Sequence, residues 1–482
     1  MTQSVQAKTG QLPWTTKVVY GLGTVAFGIK DNGFNALLMI YYNQVIGLPA
    51  AWVGGAIMLA MVADAALDPI IGQWSDSSRT KWGRRHPFMY ASIIPVGIFY
   101  FLLWQPPSGA TDGMLFAYLL LMTSATRIVI GLYEIPSTAL LAEFTKDYHE
   151  RTELVAYRFF FGVVGGILMG IFVFTVIFSN DPASPGGILD ASGYGKYAAI
   201  AAPLMAIAIF VSTIGTQGRI ASLVEPPPVA RQKFWLTVKE MASTLFDRTN
   251  APILVGSIFG SMAGGVNAAL TIYMQTYFWE LTADKIALLA ASGLLGVALA
   301  FVIVLPVSKV FGKKRTTLAL YAVTLLGVVA PVILRLLGLF PDNGSPVLVP
   351  LLFVFMTVVA MAVVTASILV ASMVADVTDQ ILLKTGRQSE GLIFSATTFV
   401  GKTVSGMGVL VSGFILALVG FPEGAKPGAV DIAIVHNLAF WFALATLVFT
   451  SIALIIMSFY PVSEDDHQFA VDEIARRRAA ES

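Results

Sequence analysis

Residues 51–85 read AWVGGAIMLAMVADAALDPIIGQWSDSSRTKWGRR. From Ala51 to Trp74 the stretch is apolar except for Asp64, Asp68 and Gln73, and its length matches the roughly 20 residues that a helix needs to cross a bilayer. Four basic residues then arrive within seven positions, at Arg79, Lys81, Arg84 and Arg85, as they do in short loops kept on the cytoplasmic side. The stretch therefore reads as a membrane-spanning helix that carries two acids at bilayer depth and ends in a cytoplasmic loop.

Working outward, eleven more apolar runs of spanning length appear. The full set lies near residues 18–43, 51–75, 88–104, 113–135, 154–179 and 197–218, then 251–278, 284–308, 316–339, 349–375, 390–420 and 432–460. A polar stretch with three consecutive prolines, Pro226 to Pro228, separates six runs from six. The halves also repeat weakly. After the second run come Gly72, Asp76, Arg79, Gly83, Arg84 and Arg85, and after the eighth come Lys309, Gly312, Lys313, Lys314 and Arg315. The fourth run is followed by AEFTKDYHERTEL and the tenth by ADVTDQILLKTGRQSEG. The expected fold is an all-α polytopic membrane protein of twelve transmembrane helices in two pseudo-symmetric six-helix bundles. Residues 1–218 and 251–482 form the bundles, the second with a cytoplasmic tail, and 219–250 form a cytoplasmic linker. Repeated bundles of this kind imply a central cavity that opens alternately to each side. The loop of Asp76, Arg79, Gly83, Arg84 and Arg85 is then a candidate cytoplasmic gate; a role as a positive-inside anchor accounts for its charge but not for its spacing or its repetition.

Composition agrees. Of 482 residues, 56% are hydrophobic and 12% charged, against about 25% charged in soluble domains. A soluble fold of this polarity would expose large apolar patches to water. The net charge of +1 gives no sign of a nucleic-acid partner, and the absence of cysteine excludes disulfides, thiolate metal sites and cysteine catalysis. His86, His149, His436 and His467 are too far apart for a local metal motif. Twenty-two Lys and Arg fall on the side of both termini and four, Lys196, Lys285, Arg335 and Lys426, on the other. Both termini are thus expected in the cytoplasm, in a multi-pass inner-membrane protein. The first run is too long for a signal-peptide core and lacks a small-residue cleavage site, so it reads as a retained helix. No nucleotide-binding loop is present, which excludes ATP as the driving force.

Eight ionisable groups remain at bilayer depth: Lys30, Asp31, Asp64, Asp68, Arg127, Glu134, Arg158 and Lys402. Each costs at least about 2.5–3.5 kcal/mol to insert and calls for a reason. Asp64 and Asp68 are spaced i, i+4, so both carboxylates lie on one helix face. Either a cation sits between them or one is protonated, and both outcomes describe a coupling-ion site; the alternative is permanent compensation by Lys402 or Arg127. For Arg127, two turns before Glu134, a salt bridge to Glu134 is sterically easy. Lys30 and Asp31 can neutralise each other, or Asp31 can line a cavity with Asn32 and Asn35. Tyr20, Tyr41, Tyr42, Trp82 and Trp104, near run ends, read as interfacial belt residues.

The segment DAALDPIIGQWSDSSRTKWGRRHPF, with YGLG at Tyr20, YYNQVIGL at Tyr41, EIP at Glu134, ERTELVAYRFF at Glu150 and TGRQSEGLIFSATTFVGK at Thr385, resembles the glycoside-pentoside-hexuronide:cation symporters. These form the melibiose-carrier-like branch of the major facilitator superfamily, and the motifs span nearly the whole chain. The resemblance implies that the chain is a transporter and not an enzyme, with a small-molecule solute, a coupling cation and the bilayer as partners, no cofactor, and a monomeric state. It assigns the cation to Asp64 and Asp68, the solute to Glu134 and Arg158, with Asp31 and Asn35 beside them, and coupling to Lys402; Arg127 has no counterpart and is placed with coupling. Where the family's sodium users add neutral oxygens, this chain has Leu67 and Gly131, which favours a proton over sodium. The family's acid on the first helix aligns with Gly28, one turn before Asp31, and a sugar-stacking Trp is replaced by Thr138. The solute expected is a glycoside, sugar or sugar acid other than a simple galactoside. An amphipathic, lipid-linked solute, as in animal relatives, and a non-transporting receptor are the alternatives.

Overall fold

The computed structural model describes residues 12–145, 147–179, 187–219, 251–385, 390–461, 473 and 476. The expected linker beyond Arg219, part of the loop after the tenth run and nearly all of the C-terminal tail lie outside the described residues. Among those residues every regular element is helical. Eleven helices are long and apolar enough to cross a membrane. They are α4 (Ala50–Ser77), α5 (His86–Leu103), α6 (Asp112–Phe144), α7 (Tyr148–Phe172), α8 (Ala191–Gln217), α9 (Ala251–Tyr273), α10 (Ala283–Phe311), α11 (Lys313–Leu336), α12 (Leu348–Thr385), α13 (Glu390–Leu418) and α14 (Ile432–Ser458), with α7 and α9 prolonged by π-turns.

The first apolar run is the exception. It is divided into α1 (Trp14–Leu22), α2 (Val25–Asn32), a π-turn (Gly33–Leu37), the short α3 (Leu38–Ile40) and a second π-turn (Tyr41–Val45). At the break after Leu22 the single Thr24 hydroxyl hydrogen is shared between the carbonyls of Gly21 (2.7 Å) and Arg158 (2.6 Å), so a side chain competes with the helical ladder.

The described residues fall into two compact units, 12–38, 63–179 and 187–219 in one and 39–62 and 251–461 in the other. Residues 39–62, which the sequence places among the first six helices, thus group with the second unit. Each unit repeats one packing scheme. In the first, α7 and α8 pack on the α1–α2 segment and α5 packs on α6 and α8; in the second, α13 and α14 pack on α9 and α11 packs on α12 and α14. The equivalent helices end alike. Ile46 N–H bonds to Tyr41 O and Leu48 N–H to Tyr42 O, and Trp279 N–H bonds to Met274 O and Leu281 N–H to Gln275 O. Within the second unit Gln44 and Asn43 of the YYNQ motif are buried, and they receive bonds from Tyr277 and Tyr273 hydroxyls at 3.1 and 2.9 Å.

Glycine fixes the closest approach in each unit. A Cβ at Gly28 would overlap the carbonyl oxygen of Gly162 and the nitrogen of Gly166, and one at Gly265 would overlap the carbonyl oxygen of Ser405. Helices α2 and α7, and α9 and α13, therefore touch backbone to backbone, as small residues allow in membranes. Position 28, where the family's first-helix acid aligns, thus has no room for a side chain. Gly28→Ala is expected to lower unfolding stability in detergent by about 1–3 kcal/mol, the usual cost of overpacking. Gly113→Ala, whose Cβ meets nothing within 4 Å, should leave it unchanged.

The aromatic belt needs correction. Tyr20, Tyr41, Tyr42 and Trp104 are buried inside the protein, and of the five only Trp82 is exposed. Length and position near a run end do not distinguish a ring at the lipid interface from one turned inward.

Candidate functional site

The charged residues of the first unit are set by two parallel stripes. On α6, positions 127, 131, 134 and 138 recur at three- and four-residue spacing, which brings Arg127, Gly131, Glu134 and Thr138 onto one face. On α4, Asp64 and Asp68 do the same. Asp64 Oδ2 lies 3.4 Å from Arg127 Nη1, with both side chains over 90% buried, and Asp68 Oδ1 lies 3.5 Å from where a Cβ on Gly131 would stand. The two stripes are in register one turn at a time. Asp64 thus faces a guanidinium, and Asp68 lies beside Gly131. The Arg127 guanidinium also stands 4.9 Å from the ring centroid of Phe34, a cation–π contact that helps to hold a buried cation.

Arg158, on α7, reaches the far end of the α6 stripe. Its Nη1 donates to Ser137 Oγ at 2.6 Å and its Nη2 to Thr138 Oγ1 at 2.9 Å, while its guanidinium lies 5.1 Å from the ring centroid of Tyr20. Tyr20 in turn donates to the Ser137 carbonyl at 2.7 Å. Glu134 precedes Thr138 by one helical turn, is half-buried, and takes part in none of the described ion pairs. The salt bridge weighed for Glu134 is thus absent among the described residues, because Arg127 is engaged with Asp64 and Arg158 with two hydroxyls. A half-buried carboxylate one turn from a guanidinium fork offers acceptors and donors side by side, a pattern that suits vicinal hydroxyls.

The remaining residues lie apart. Lys30 Nζ pairs with Asp31 Oδ1 at 2.8 Å, the local neutralisation weighed from the sequence, and both Asp31 and Asn35 are exposed. No described contact joins Asp31 or Asn35 to Glu134 or Arg158. Lys402 is half-buried on α13, in the second unit. In the candidate gate loop, Arg85 pairs with Asp76 and, at 3.0 Å, with Glu143, and Arg84 Nη2 meets the same Glu143 oxygen at 2.7 Å. Arg79 Nη1 donates to the Asp76 carbonyl at 3.1 Å, and Gly83 takes φ +75°, a left-handed turn that favours glycine. The second unit repeats the device: Gly312 has φ +76° and Lys313 Nζ meets Asp376 Oδ2 at 2.7 Å. Glu143 and Asp376 follow Ala142 and Ala375 in the two segments already matched, AEFT and ADVT, so the repeat itself held the signal for these acids. Ser137 and Tyr20 had no such signal, since a buried Ser or Tyr is commonplace in a helix.

Residues 19–464 match the MFS/sugar transport protein family. The isoprimeverose transporter of Lactiplantibacillus pentosus is 26% identical over 468 residues, 96% of this chain and 91% of that protein. The putative glycoside/cation symporter YagG of Escherichia coli K12 is 24% identical over 477 residues, 98% of this chain and 97% of that one. Among solved structures, a D-xylose-proton symporter superposes with a TM-score of 0.60 at 15% identity, covering 93% of this chain and 98% of that one, a likeness of fold. The chain belongs to the MFS/sugar transport family: it is a multi-pass membrane transporter of the major facilitator fold and not an enzyme. Its relatives support the resemblance to the glycoside-pentoside-hexuronide:cation symporters.

Proposed function

We infer that the chain takes up a small polar solute, a glycoside, sugar or sugar acid, in symport with a proton by alternating access. It acts as a monomer in the cytoplasmic membrane, with both termini in the cytoplasm and two six-helix bundles, 1–218 and 251–482, joined by 219–250. The observation that carries this reading is the register of α4 on α6. Asp64 is already matched by the fixed positive charge of Arg127, and Asp68 faces Gly131, which offers no side-chain oxygen. Neither Leu67 nor Gly131 supplies a side-chain oxygen for a sodium shell, whereas a proton needs only one carboxylate. Glu134 and Arg158 are assigned to the solute, with Asp31 and Asn35 at its edge, and Lys402 to coupling, released when the cation binds. The loop of Asp76, Arg79, Gly83, Arg84 and Arg85 is assigned to the cytoplasmic gate. The names of the relatives, an isoprimeverose transporter and a putative glycoside/cation symporter, support the solute class.

Glu134→Gln and Arg158→Lys should each weaken solute binding by roughly 1.5–3 kcal/mol, the range for hydrogen bonds to a charged group. Binding of a panel of glycosides and uronates to purified protein, followed by thermal shift, measures this. Unchanged affinity in both variants, with lower thermal stability, would assign the pair a structural role. Addition of the bound solute to cells should alkalinise the medium; a receptor without transport would leave the pH still.

A further inference from the structure

A cavity of about 720 Å³ lies inside the second unit, among α9, α11, α12 and α14. The volume falls within the range of small-molecule sites, roughly 300–1,000 Å³. Among the described residues no acidic, basic or histidine side chain lines it. One wall is a single face of α9, where Ser257, Ser261, Gly264, Asn267, Thr271 and Gln275 recur at helical spacing. At 1.5 Å per residue this polar stripe runs about 27 Å. The facing helices contribute apolar side chains, Val328, Val359 and Phe442 among them, beside the hydroxyls of Tyr321, Thr324, Thr446 and Thr450.

Two features of the stripe point to an occupant. Gln275 is only 8% exposed, yet the one bond found for its carboxamide runs from Nε2 to the thioether of Met356 at 3.9 Å. A carboxamide has two donor hydrogens and an acceptor oxygen, and leaving them unmatched in an apolar interior is costly. Gly264 is the second feature. Its neighbour Gly265 is needed for the contact with α13, but a Cβ on Gly264 would meet nothing within 4 Å. A mid-helix glycine costs roughly 0.5–1 kcal/mol relative to alanine, and here no packing contact requires it; what it provides is space. Asn267 is held by bonds from Nδ2 to Ala263 O (2.9 Å) and Thr446 Oγ1 (3.4 Å), which leaves its Oδ1 as an acceptor.

We propose that this cavity is a ligand site built wholly from the second unit, and that it takes an uncharged amphiphile. A hydroxyl-bearing head bonds to Asn267, Thr271 and Gln275, and an apolar body lies against Val328, Val359 and Phe442. A charged ligand is disfavoured because no described lining group would compensate it. The site stands on its own residues and does not depend on the roles assigned to Glu134 and Arg158.

The chain has no cysteine, so Gly264→Cys introduces a single thiol into the full-length protein in lipid nanodiscs. Methyl methanethiosulfonate, which is neutral, should label it. Phenyl β-D-glucopyranoside should slow labelling by a factor of 1 + [L]/Kd, roughly tenfold at ten times its dissociation constant. Methyl β-D-glucopyranoside, without the apolar body, and phenyl β-D-glucuronide, with a charge, should protect far less. Protection should vanish with Gln275→Leu and persist with Glu134→Gln. An unreactive thiol, labelling that phenyl glucoside does not slow, equal protection by the glucuronide, or protection lost with Glu134→Gln would each overturn the proposal. As a check independent of the thiol, made in a Glu134→Gln, Arg158→Lys background so that the site in the first unit contributes little, Gly264→Leu should abolish the thermal shift produced by phenyl glucoside while Gly264→Ala retains it; an undiminished shift in the Gly264→Leu variant also overturns the site.

Discussion

Asp68→Asn is expected to abolish uphill accumulation of solute while leaving solute exchange at least partly intact. The expectation follows from the different surroundings of the two acids on α4. Asp64 lies 3.4 Å from the buried Arg127 guanidinium, and replacing it by Asn leaves that cation without the carboxylate it faces. Removing one partner of a buried ion pair typically costs about 3–5 kcal/mol. Asp68 lies beside Gly131, and its replacement by Asn removes the titratable group that is not opposed to Arg127. Asp64→Asn should therefore lose stability first and transport with it, and Asp64→Asn combined with Arg127→Gln should recover much of the stability. Counterflow and gradient-driven uptake in vesicles, measured beside unfolding of the same preparations, separate the cases. Uphill uptake that survives in the Asp64→Asn, Asp68→Asn double variant would place the coupling ion elsewhere.

That distinction between the acids is invisible in the sequence. The i, i+4 spacing puts Asp64 and Asp68 on one face, but which of them meets Arg127 depends on the axial register between α4 and α6, and no one-dimensional pattern records a register. For Arg127 two partners were sterically open, Glu134 on its own helix and an acid on another, and packing chose the second. The apolar runs were legible because a bilayer imposes a fixed length on every span. The interruptions of the first run were not, since Thr24 breaks the helix by bonding to the Arg158 carbonyl, a partner 134 residues away. The inward turn of Tyr20 and Trp104 was hidden for the same reason: a ring near the end of an apolar run suits an interface and a core equally. The cavity beside α9 was masked differently. Its stripe of Ser, Gly, Asn, Thr and Gln carries no charge, and uncharged polar residues in a span cost too little to stand out against the hydrophobic background.

Uptake into vesicles should respond to an imposed inward proton gradient at negligible sodium, and three substitutions together should convert the transporter toward sodium. A sodium ion at the α4 acids would lie on the order of 5 Å from the Arg127 guanidinium, where two unit charges repel by about 3 kcal/mol at an effective dielectric constant near 20. That penalty alone weakens sodium binding by about a hundredfold. Two positions also supply no side-chain oxygen, since Leu67 precedes Asp68 and Gly131 lies beside it. Leu67→Asn and Gly131→Ser each supply one, and the space at Gly131 admits a Cβ at ordinary van der Waals distance from Asp68. With Arg127→Gln added, the positive charge beside Asp64 is gone. The triple variant should then show sodium-stimulated solute binding, measured by calorimetry with and without sodium, where the unmodified protein shows none. Leu67→Asn and Gly131→Ser without Arg127→Gln should give a weaker response, because the repulsion remains. A strict sodium requirement in the unmodified protein, with no response to the proton gradient, would overturn the choice of ion. It would mean that oxygens other than side chains at 67 and 131 complete a sodium shell despite the neighbouring guanidinium.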